Sequence, residues 1–304
     1  MPIRIPKALP AYNALTKENV FVMTTDRAEK QDIRPLRVAI INLMPTTVTT
    51  EIQLLRLLGN TPLQVDISLL RMGSHTSHNA PPGHLKKFYV NSREAYKERY
   101  DGLIITGAPV ETLPFEDVDY WSELANILDY SLHNVWSTLH ICWGAQAGLY
   151  QRYGIGKKVL DCKLFGVFAH NVNEKLSPLF RGFDDIFLSP QSRYTESNRD
   201  AIASNANLTI QSATPCGSPF IVTARNGRDI YINGHLEYDA LTLDAEYKRD
   251  KAKGLDINIP VNYYLNDDPY KTPIVRWRAH AHLFFSNWLN YVYQEAPFEL
   301  KDLK

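Results

Sequence analysis

The chain has 304 residues, enough for one large α/β domain or two smaller ones, and its hydrophobic and charged contents of 44% and 22% are those of a globular protein. Lys+Arg and Asp+Glu each number 33, which argues against a nucleic acid or an anionic membrane as partner. No stretch approaches the roughly 20 apolar residues of a membrane span, and the first residues lack a signal peptide's apolar core. Three cysteines are too few for a disulfide framework, so we expect a cytoplasmic protein.

The first half of the chain alternates between strand and helix patterns. Residues 1–35 are polar and irregular, and we expect them to lie over the body of the fold. A loop is predicted over Gly73–Gly83. The patterns predict strands at Leu36–Met44, Leu63–Leu70, Leu103–Ile105 and Val135–Ile141, and helices at Thr49–Gly59, Ser92–Arg99, Val118–Leu132 and from Ala145 onward. This alternation is typical of a mostly parallel, flavodoxin-like sheet with helices on both faces.

The second half is richer in strand patterns. A strand is predicted at Asp185–Leu188, and Asn226-Gly227 predicts the turn of a β-hairpin. Its two strands, and two later helices, are predicted at Phe220–Thr223, Asp229–Ile232, Leu241–Lys251 and Ile274–Gln294. One catalytic α/β domain over residues 36–304, with insertions, fits these patterns better than two domains.

A single cysteine stands between a buried strand and a helix. Cys142 follows the strand Val135–Ile141 and precedes Gly144 and the helix pattern. This layout is typical of a nucleophile elbow, a sharp turn that exposes a side chain above the sheet. The glycine permits close backbone approach, and a helix N-terminus favours a thiolate. Cys142 is therefore our candidate nucleophile.

A histidine and a glutamate follow the second hairpin strand. In an extended backbone, His235 and Glu237 point to the same face because side chains alternate. The carboxylate can orient the imidazole and stabilise its protonated form. With Cys142, these residues form a candidate Cys-His-Glu triad.

The loop Thr106–Pro109 follows another buried strand, at the sheet edge where open α/β folds hold their sites. The backbone N–H groups of Gly107 and Ala108 are candidate donors to an oxyanion, and the N–H group of Trp143 is the natural third donor.

The remaining cysteines and one histidine pair receive plainer interpretations. Cys162 and Cys216 lack an elbow context, and we interpret them as structural. His280 and His282 are two residues apart on a predicted helix, so their side chains diverge around its axis. We therefore expect no metal site.

The Cys142 elbow, the Thr106–Pro109 loop and the His235–Glu237 pair resemble class I glutamine amidotransferases. A longer set of motifs resembles the homoserine O-acyltransferase family of methionine biosynthesis, and it runs almost from end to end. These motifs are Met1–Ile3, Ile41–Pro45, His140–Gln146, Pro190–Thr195, Asn233–Tyr238 and Trp277–His280. The resemblance implies a class I glutamine amidotransferase-like fold and a homodimer.

The resemblance also implies a mechanism and its residues. Cys142 would carry the acyl group as a thioester in a ping-pong reaction, with His235 as general base and Glu237 as its partner. The family's substrate contacts fall on Lys163, Ser192 and Arg249. L-Homoserine and acetyl-CoA would be the substrates, and no permanently bound cofactor is expected.

Glu111 is implied by the resemblance to select the acyl donor. Members that use succinyl-CoA are expected to have glycine at this position. A glutamate would fill space and repel the distal succinyl carboxylate, by roughly a few kcal/mol in a dry pocket. We therefore predict an acetyltransferase that makes O-acetyl-L-homoserine.

Three alternatives stay open. The first is a homoserine O-succinyltransferase, and the second is a glutamine amidotransferase or related cysteine hydrolase with the same triad. The third is a non-catalytic ligand sensor, which should have lost part of the triad.

Overall fold

The computed structural model describes residues 3–18, 22–23, 34–74 and 81–303. The strands are β1 (Ile3–Arg4), β2 (Val22–Met23), β3 (Leu36–Ile41), β4 (Val65–Arg71), β5 (Tyr89–Asn91), β6 (Tyr100–Ile105), β7 (Val135–Ile141), β8 (Lys157–Val172), β9 (Ile186–Ser197), β10 (Thr209–Ala213), β11 (Pro219–Ala224) and β12 (Asp229–Ile232). The helices are α1 (Pro10–Lys17), α2 (Thr47–Leu58), α3 (His84–Phe88), α4 (Ser92–Ala95), α5 (Trp121–Asn134), α6 (Trp143–Tyr153), α7 (Arg199–Ser204), α8 (Thr242–Ala252) and α9 (Arg278–Glu295). Short 3₁₀ turns lie at Phe115–Asp117, Pro178–Phe180, Arg225–Gly227, Leu265–Asp267 and Leu300–Asp302.

In the described parts of the chain, twelve strands form one continuous sheet in the order β2-β1-β4-β3-β6-β7-β12-β11-β10-β8-β9, with β5 paired to β4. All pairs from β2 to β12 are parallel, and β5 is parallel to β4. The pairs from β12 to β9 are antiparallel. The predicted α/β class with a mostly parallel core and a C-terminal hairpin is thus confirmed.

Helices cover both faces of the parallel half. Val38 and Ile40 of β3 pack with α1, α2 and α9, whereas Ala39 and Ile41 pack with α5 and α6. Alternating residues of one strand therefore enter two different cores, which explains why β3 reads as a continuous apolar run. No helix in the described ranges is both long and apolar enough to cross a bilayer.

The N-terminal segment is more ordered than predicted. Parts of residues 1–35, and positions 75–80 of the predicted loop Gly73–Gly83, lie outside the described ranges. Where described, the segment contains the helix α1, and β1 pairs with β4 at one edge of the sheet. The expectation of an irregular segment is wrong for these residues because Leu9, Ala11 and Leu15 form a buried helix face.

The sequence also failed to predict most of the long antiparallel pair β8–β9. Only Asp185–Leu188 was expected to be a strand there, close to the start of β9. β8 is interrupted in register between Val159 and Leu164, and Gly166 has a φ of +140°. Charged residues, an irregular register and a glycine hide the period-two pattern of this strand.

The topology places three adjacent strand ends together. β6, β7 and β12 are neighbouring parallel strands, and their carboxyl ends lead to Thr106, Cys142 and Asn233 respectively. Residues far apart in the sequence therefore meet at one edge of the sheet.

Candidate active site

Cys142 forms the sharp turn between β7 and α6. Its φ of 51° and ψ of −114° are rare for a residue with a side chain, and its N–H donates to the carbonyl of Ile232 at 2.7 Å. Its carbonyl accepts from the N–H of Ala145 at 3.0 Å, as expected of a helix N-cap residue. The predicted nucleophile elbow is present, and Cys142 is 7% exposed.

Two glycines allow the backbone to close around this cysteine. A Cβ atom at Gly144 would lie 2.7 Å from the carbonyl oxygen of Thr106 and 2.8 Å from that of Ile105. A Cβ at Gly107 would lie 3.3 Å from the Cβ of Cys142 and 3.6 Å from the Cε1 of His235. Gly107 thus lies against both the nucleophile and the histidine.

His235 and Glu237 are directly paired. The Nδ1 of His235 lies 2.7 Å from the Oε1 of Glu237, and both side chains are buried. The predicted pairing is present, but the predicted geometry is wrong. β12 ends at Ile232, and the pair lies in the following turn, where the N–H of His235 donates to the carbonyl of Pro190 at 3.0 Å.

The surroundings of His235 favour its protonated form. Burial lowers the pKa of His235, but the Cys142 sulfur and the Glu237 carboxylate outweigh it and raise the pKa well above its ordinary value. Tyr238 stacks on the imidazole with ring centroids 4.0 Å apart. The imidazole ring is therefore held in one plane. Its Nδ1 is hydrogen-bonded to Glu237, and its Nε2 is available to interact with Cys142.

A cavity of about 610 Å³ opens above Cys142 and His235. Besides these two residues, its walls include almost every other position predicted from the sequence. Those positions are Gly107, Ala108, Glu111, Lys163, Ser192 and Arg249. Glu237 lies behind His235, and the fully buried Trp143 directly follows Cys142 in the chain.

The three predicted substrate contacts converge on helix α8. The Nζ of Lys163 lies 3.2 Å from the Oδ2 of Asp250 and 3.8 Å from the Oε2 of Glu246. Ser192 donates a hydrogen bond to Glu246, and the Nε of Arg249 donates to Asp250 at 2.7 Å. The side chain of Arg249 is half exposed, and its two terminal nitrogens have no partner in the described part of the chain.

Glu246, Asp250 and Tyr238 are site residues that the sequence reasoning did not find. The hydroxyl of Tyr238 donates to Glu246 at 2.7 Å. Burial opposes ionisation of Asp250, but hydrogen bonds from Arg249 and Lys163 hold the pKa of Asp250 below its ordinary value. A usable signal was present, because carboxylates four residues apart share one face of the predicted helix.

Glu111 is held against the backbone of β9. Its Oε2 accepts hydrogen bonds from the N–H of Tyr194 at 2.9 Å, the N–H of Thr195 at 3.2 Å and the hydroxyl of Thr195 at 3.1 Å. Burial raises the pKa of Glu111, and these hydrogen bonds reduce the shift without cancelling it. Glu111 is therefore fixed at the cavity wall and is not turned to solvent.

The other singled-out residues lie away from this cavity. Cys162 and Cys216 are exposed, and neither lines the cavity. The Nε2 of His280 lies 3.3 Å from the Oδ2 of Asp184. In the described ranges, no three His, Cys, Asp or Glu side chains gather as a metal site would require.

Known proteins resemble this chain in both sequence and fold. The family model of homoserine O-succinyltransferase matches residues 2–298. A homoserine O-acetyltransferase from Acetivibrio thermocellus is 56% identical over 305 residues, and one from Brevibacillus brevis is 57% identical over 305 residues. Each alignment covers 100% of both chains.

Solved structures support the predicted fold class. A glutamine amidotransferase from Thermotoga maritima aligns with a TM-score of 0.56 at 13% identity, covering 86% of this chain and 99% of that one. One from Methylobacillus flagellatus aligns with a TM-score of 0.52 at 12% identity, covering 88% and 99%. These likenesses concern the fold alone. The family match and the full-length relatives carry the assignment, and this chain belongs to the homoserine O-succinyltransferase family.

Proposed function

We propose that this protein is a homoserine O-acetyltransferase, which transfers the acetyl group of acetyl-CoA to the side-chain hydroxyl of L-homoserine. The observation that supports this function most directly is the pairing of His235 with Glu237 beside Cys142. Cys142 and His235 line a cavity whose walls also include Glu111 and Arg249. The full-length relatives named homoserine O-acetyltransferase support the same activity.

In the first half-reaction, the Cys142 sulfur attacks the thioester carbonyl of acetyl-CoA. Because the surroundings of His235 favour its protonated form, His235 holds the proton of the Cys142–His235 pair while the sulfur attacks. The tetrahedral intermediate collapses, the carbon–sulfur bond to CoA breaks, and His235 gives its proton to the departing CoA sulfur. The enzyme is left with acetyl-Cys142 and a neutral imidazole.

In the second half-reaction, the neutral imidazole acts as the base. Acetylation removes the charge of the Cys142 sulfur, which was one of the groups that raised the pKa of His235. His235 takes the proton of the homoserine hydroxyl, and the oxygen attacks the thioester. Collapse of this intermediate forms the ester and regenerates the starting Cys142–His235 pair, so that protons balance over the cycle.

Backbone N–H groups are the proposed donors to both tetrahedral oxyanions. The N–H groups of Gly107, Ala108 and Trp143 donate to no acceptor within the described residues. Gly107 lies against the Cys142 side chain, and Trp143 directly follows it. Unengaged donors beside a nucleophile are what an oxyanion hole requires.

Homoserine recognition is assigned to helix α8 and its neighbours. The free terminal nitrogens of Arg249 suit the substrate carboxylate because a guanidinium binds a carboxylate through two parallel hydrogen bonds. The Glu246 carboxylate suits the substrate ammonium group, and hydrogen bonds from Ser192 and Tyr238 orient that carboxylate. Lys163 lies close to both Glu246 and Asp250, so we assign it the role of fixing these two carboxylates.

Glu111 is the proposed reason for acetyl over succinyl transfer. Its carboxylate reduces the cavity volume and presents a charge that repels the distal carboxylate of succinyl-CoA. An acetyl group is small and neutral and escapes both effects. We also propose a cytoplasmic homodimer with no permanently bound cofactor, as the sequence and its resemblance imply.

Initial-rate kinetics with homoserine and either acetyl-CoA or succinyl-CoA test this function. We expect parallel double-reciprocal lines with acetyl-CoA for the native protein, only slow use of succinyl-CoA by it, and efficient use of succinyl-CoA by the Glu111→Gly variant. If the native protein prefers succinyl-CoA, the role of Glu111 is wrong. If neither donor is consumed and glutamine is hydrolysed without CoA, the protein is a cysteine hydrolase.

A further inference from the structure

Thr195 is a fully buried residue whose polar atoms all have partners around the active site. Its hydroxyl lies 3.1 Å from the Oε2 of Glu111 and 3.0 Å from the Oε1 of Gln146. Its N–H donates to Glu111, and its carbonyl accepts from the Nε2 of Gln146 at 3.2 Å. The carbonyl also accepts from the Nη1 of Arg193 at 2.7 Å. Thr195 therefore connects Glu111, in the segment after β6, to helix α6.

These contacts hold one oxygen of Glu111 and leave the other free. All three hydrogen bonds end on Oε2, and two of them come from Thr195. Oε1 has no partner in the described part of the chain. Because Glu111 lines the cavity, fixing Oε2 on β9 determines where the rest of the carboxyl group lies.

No cationic side chain in the described residues holds the Glu111 carboxyl group through a salt bridge. Lys157 donates to the carbonyl of Leu113 at 2.7 Å, Lys163 pairs with Asp250, and Arg193 donates to Gln191 and Thr195. None of the three forms a salt bridge with Glu111. Hydrogen bonds, two of them from Thr195, therefore fix the carboxyl group.

Gln146 holds Thr195 in place through a hydrogen bond to its backbone carbonyl. Its amide binds both the carbonyl and the hydroxyl of Thr195, and it lies four residues after Cys142 on α6. The hydroxyl has a single hydrogen to donate. It goes to an ionised Glu111, whereas a protonated Glu111 donates to the hydroxyl, which then donates to Gln146. The carboxyl group has a partner in both forms.

We propose that Thr195, held in place by Gln146, is a positioning residue for acyl-donor choice, because it holds the Glu111 carboxyl group at the cavity wall. This inference rests on the proposed acyltransferase function. Donor choice then depends on a buried hydroxyl on β9 as well as on Glu111.

The test compares Thr195→Val, which removes the hydroxyl at nearly constant volume, with Thr195→Ser, which retains it. For each full-length variant, kcat/KM is measured with acetyl-CoA and with succinyl-CoA at saturating homoserine. We expect Thr195→Val to lower the acetyl-to-succinyl ratio by roughly three- to tenfold, the effect of one lost hydrogen bond, and Thr195→Ser to keep the native ratio.

A second variant, Gln146→Met, covers the case in which Thr195→Val fails to fold. It should lower the ratio in the same direction because the Thr195 carbonyl loses the hydrogen bond from the Gln146 amide, which holds this part of β9 beside Glu111. An unchanged ratio in both foldable variants, or an equal loss with both donors, overturns the inference. If the native protein uses neither donor, the proposed function fails instead, so the two failures are distinguishable.

Discussion

At the scale of single residues, the role proposed for Glu111 in discriminating between acyl donors has two physical bases, the volume of its side chain and its charge. The volume acts at every pH. The charge acts only while the carboxyl group is ionised, and burial raises the pKa of Glu111 above the ordinary value of an exposed glutamate. The two contributions can therefore be separated by pH.

We expect discrimination against succinyl-CoA to weaken as the pH falls. Above the raised pKa, Glu111 is charged and repels the succinyl carboxylate, and protonation below it removes the repulsion and leaves the steric effect. The measurement is the ratio of kcat/KM for the two donors across pH. Glu111→Gln is the matched control, because an amide of equal size should give a ratio that follows only the titration of the substrate.

Tyr238 is expected to have two separable roles. Tyr238→Phe keeps the stacking on His235 but frees Glu246, so KM for homoserine should rise roughly three- to tenfold with little change in kcat. Tyr238→Leu removes the aromatic plane that orients His235, and kcat should fall roughly ten- to hundredfold. Steady-state kinetics of the two variants provide the measurement, and identical kinetics would contradict this division.

The arrangement of Cys142, His235 and Glu237 could be predicted from the sequence, whereas the side chains that hold Glu111 and Ser192 in place could not. Cys142 lies in a local strand-turn-helix pattern, and His235 and Glu237 are two residues apart, so both signals are local. Thr195 and Glu246 act through partners 84 and 54 residues away in the sequence, Glu111 and Ser192. No periodicity reports such distant pairings.

At the scale of elements, the first turn of α6 packs so closely against the end of β6 that position 144 has no room for a side chain. Gly144→Ala would place a Cβ against two backbone carbonyls that no rotamer change can relieve. We expect a loss of about 1–3 kcal/mol in the free energy of unfolding. We also expect slower acetyl transfer, because the clash separates Cys142 from Gly107.

Gly156→Ala is the matched control for this prediction. A Cβ at Gly156 has no neighbour within 4 Å in the described residues, and its φ is not positive. Urea denaturation and acetyl-transfer rates should therefore be nearly native for this variant. Equal effects of both substitutions would show that glycine flexibility, and not close approach, is what matters at position 144.

The accuracy of the element predictions follows from the origin of each signal. The bounds of β7 were predicted without error, because Asn134 and Cys142 flank a short run that is compatible with burial. The end of α5 was predicted two residues early, and α9 begins four residues later than expected. Helix ends depend on capping contacts that tertiary structure provides.

At the scale of the whole molecule, the parallel half and the β11–β12 hairpin were predictable, and the rest of the antiparallel half was not. Parallel strands buried on both faces alternate with helices, and that alternation is visible in the sequence. β8, β9 and β10 are separated by intervening segments in the sequence, and β8 carries the exposed charged residues Lys158 and Asp161. Their place in the sheet follows from long-range register, which no local pattern specifies.

The described part of the N-terminal segment contributes side chains to the main hydrophobic core. Leu9 and Leu15 are buried in the same cluster as Leu54 and Leu58 of α2. The Nη2 of Arg56 also donates to Glu18 at 2.8 Å, just after α1. If the segment is part of the cooperative unit, a change within α1 should destabilise the whole fold.

Leu15→Ala tests this expectation directly. Leu15 is fully buried, so its truncation should lower the free energy of unfolding by about 2–5 kcal/mol, in a single urea transition. Leu176→Ala is the control, since Leu176 is 98% exposed and its truncation should change stability by less than about 0.5 kcal/mol. A native midpoint for Leu15→Ala would mean that α1 detaches before the sheet unfolds. In that case residues 1–35 unfold separately from the rest of the chain, and the domain boundary predicted at residue 35 is supported.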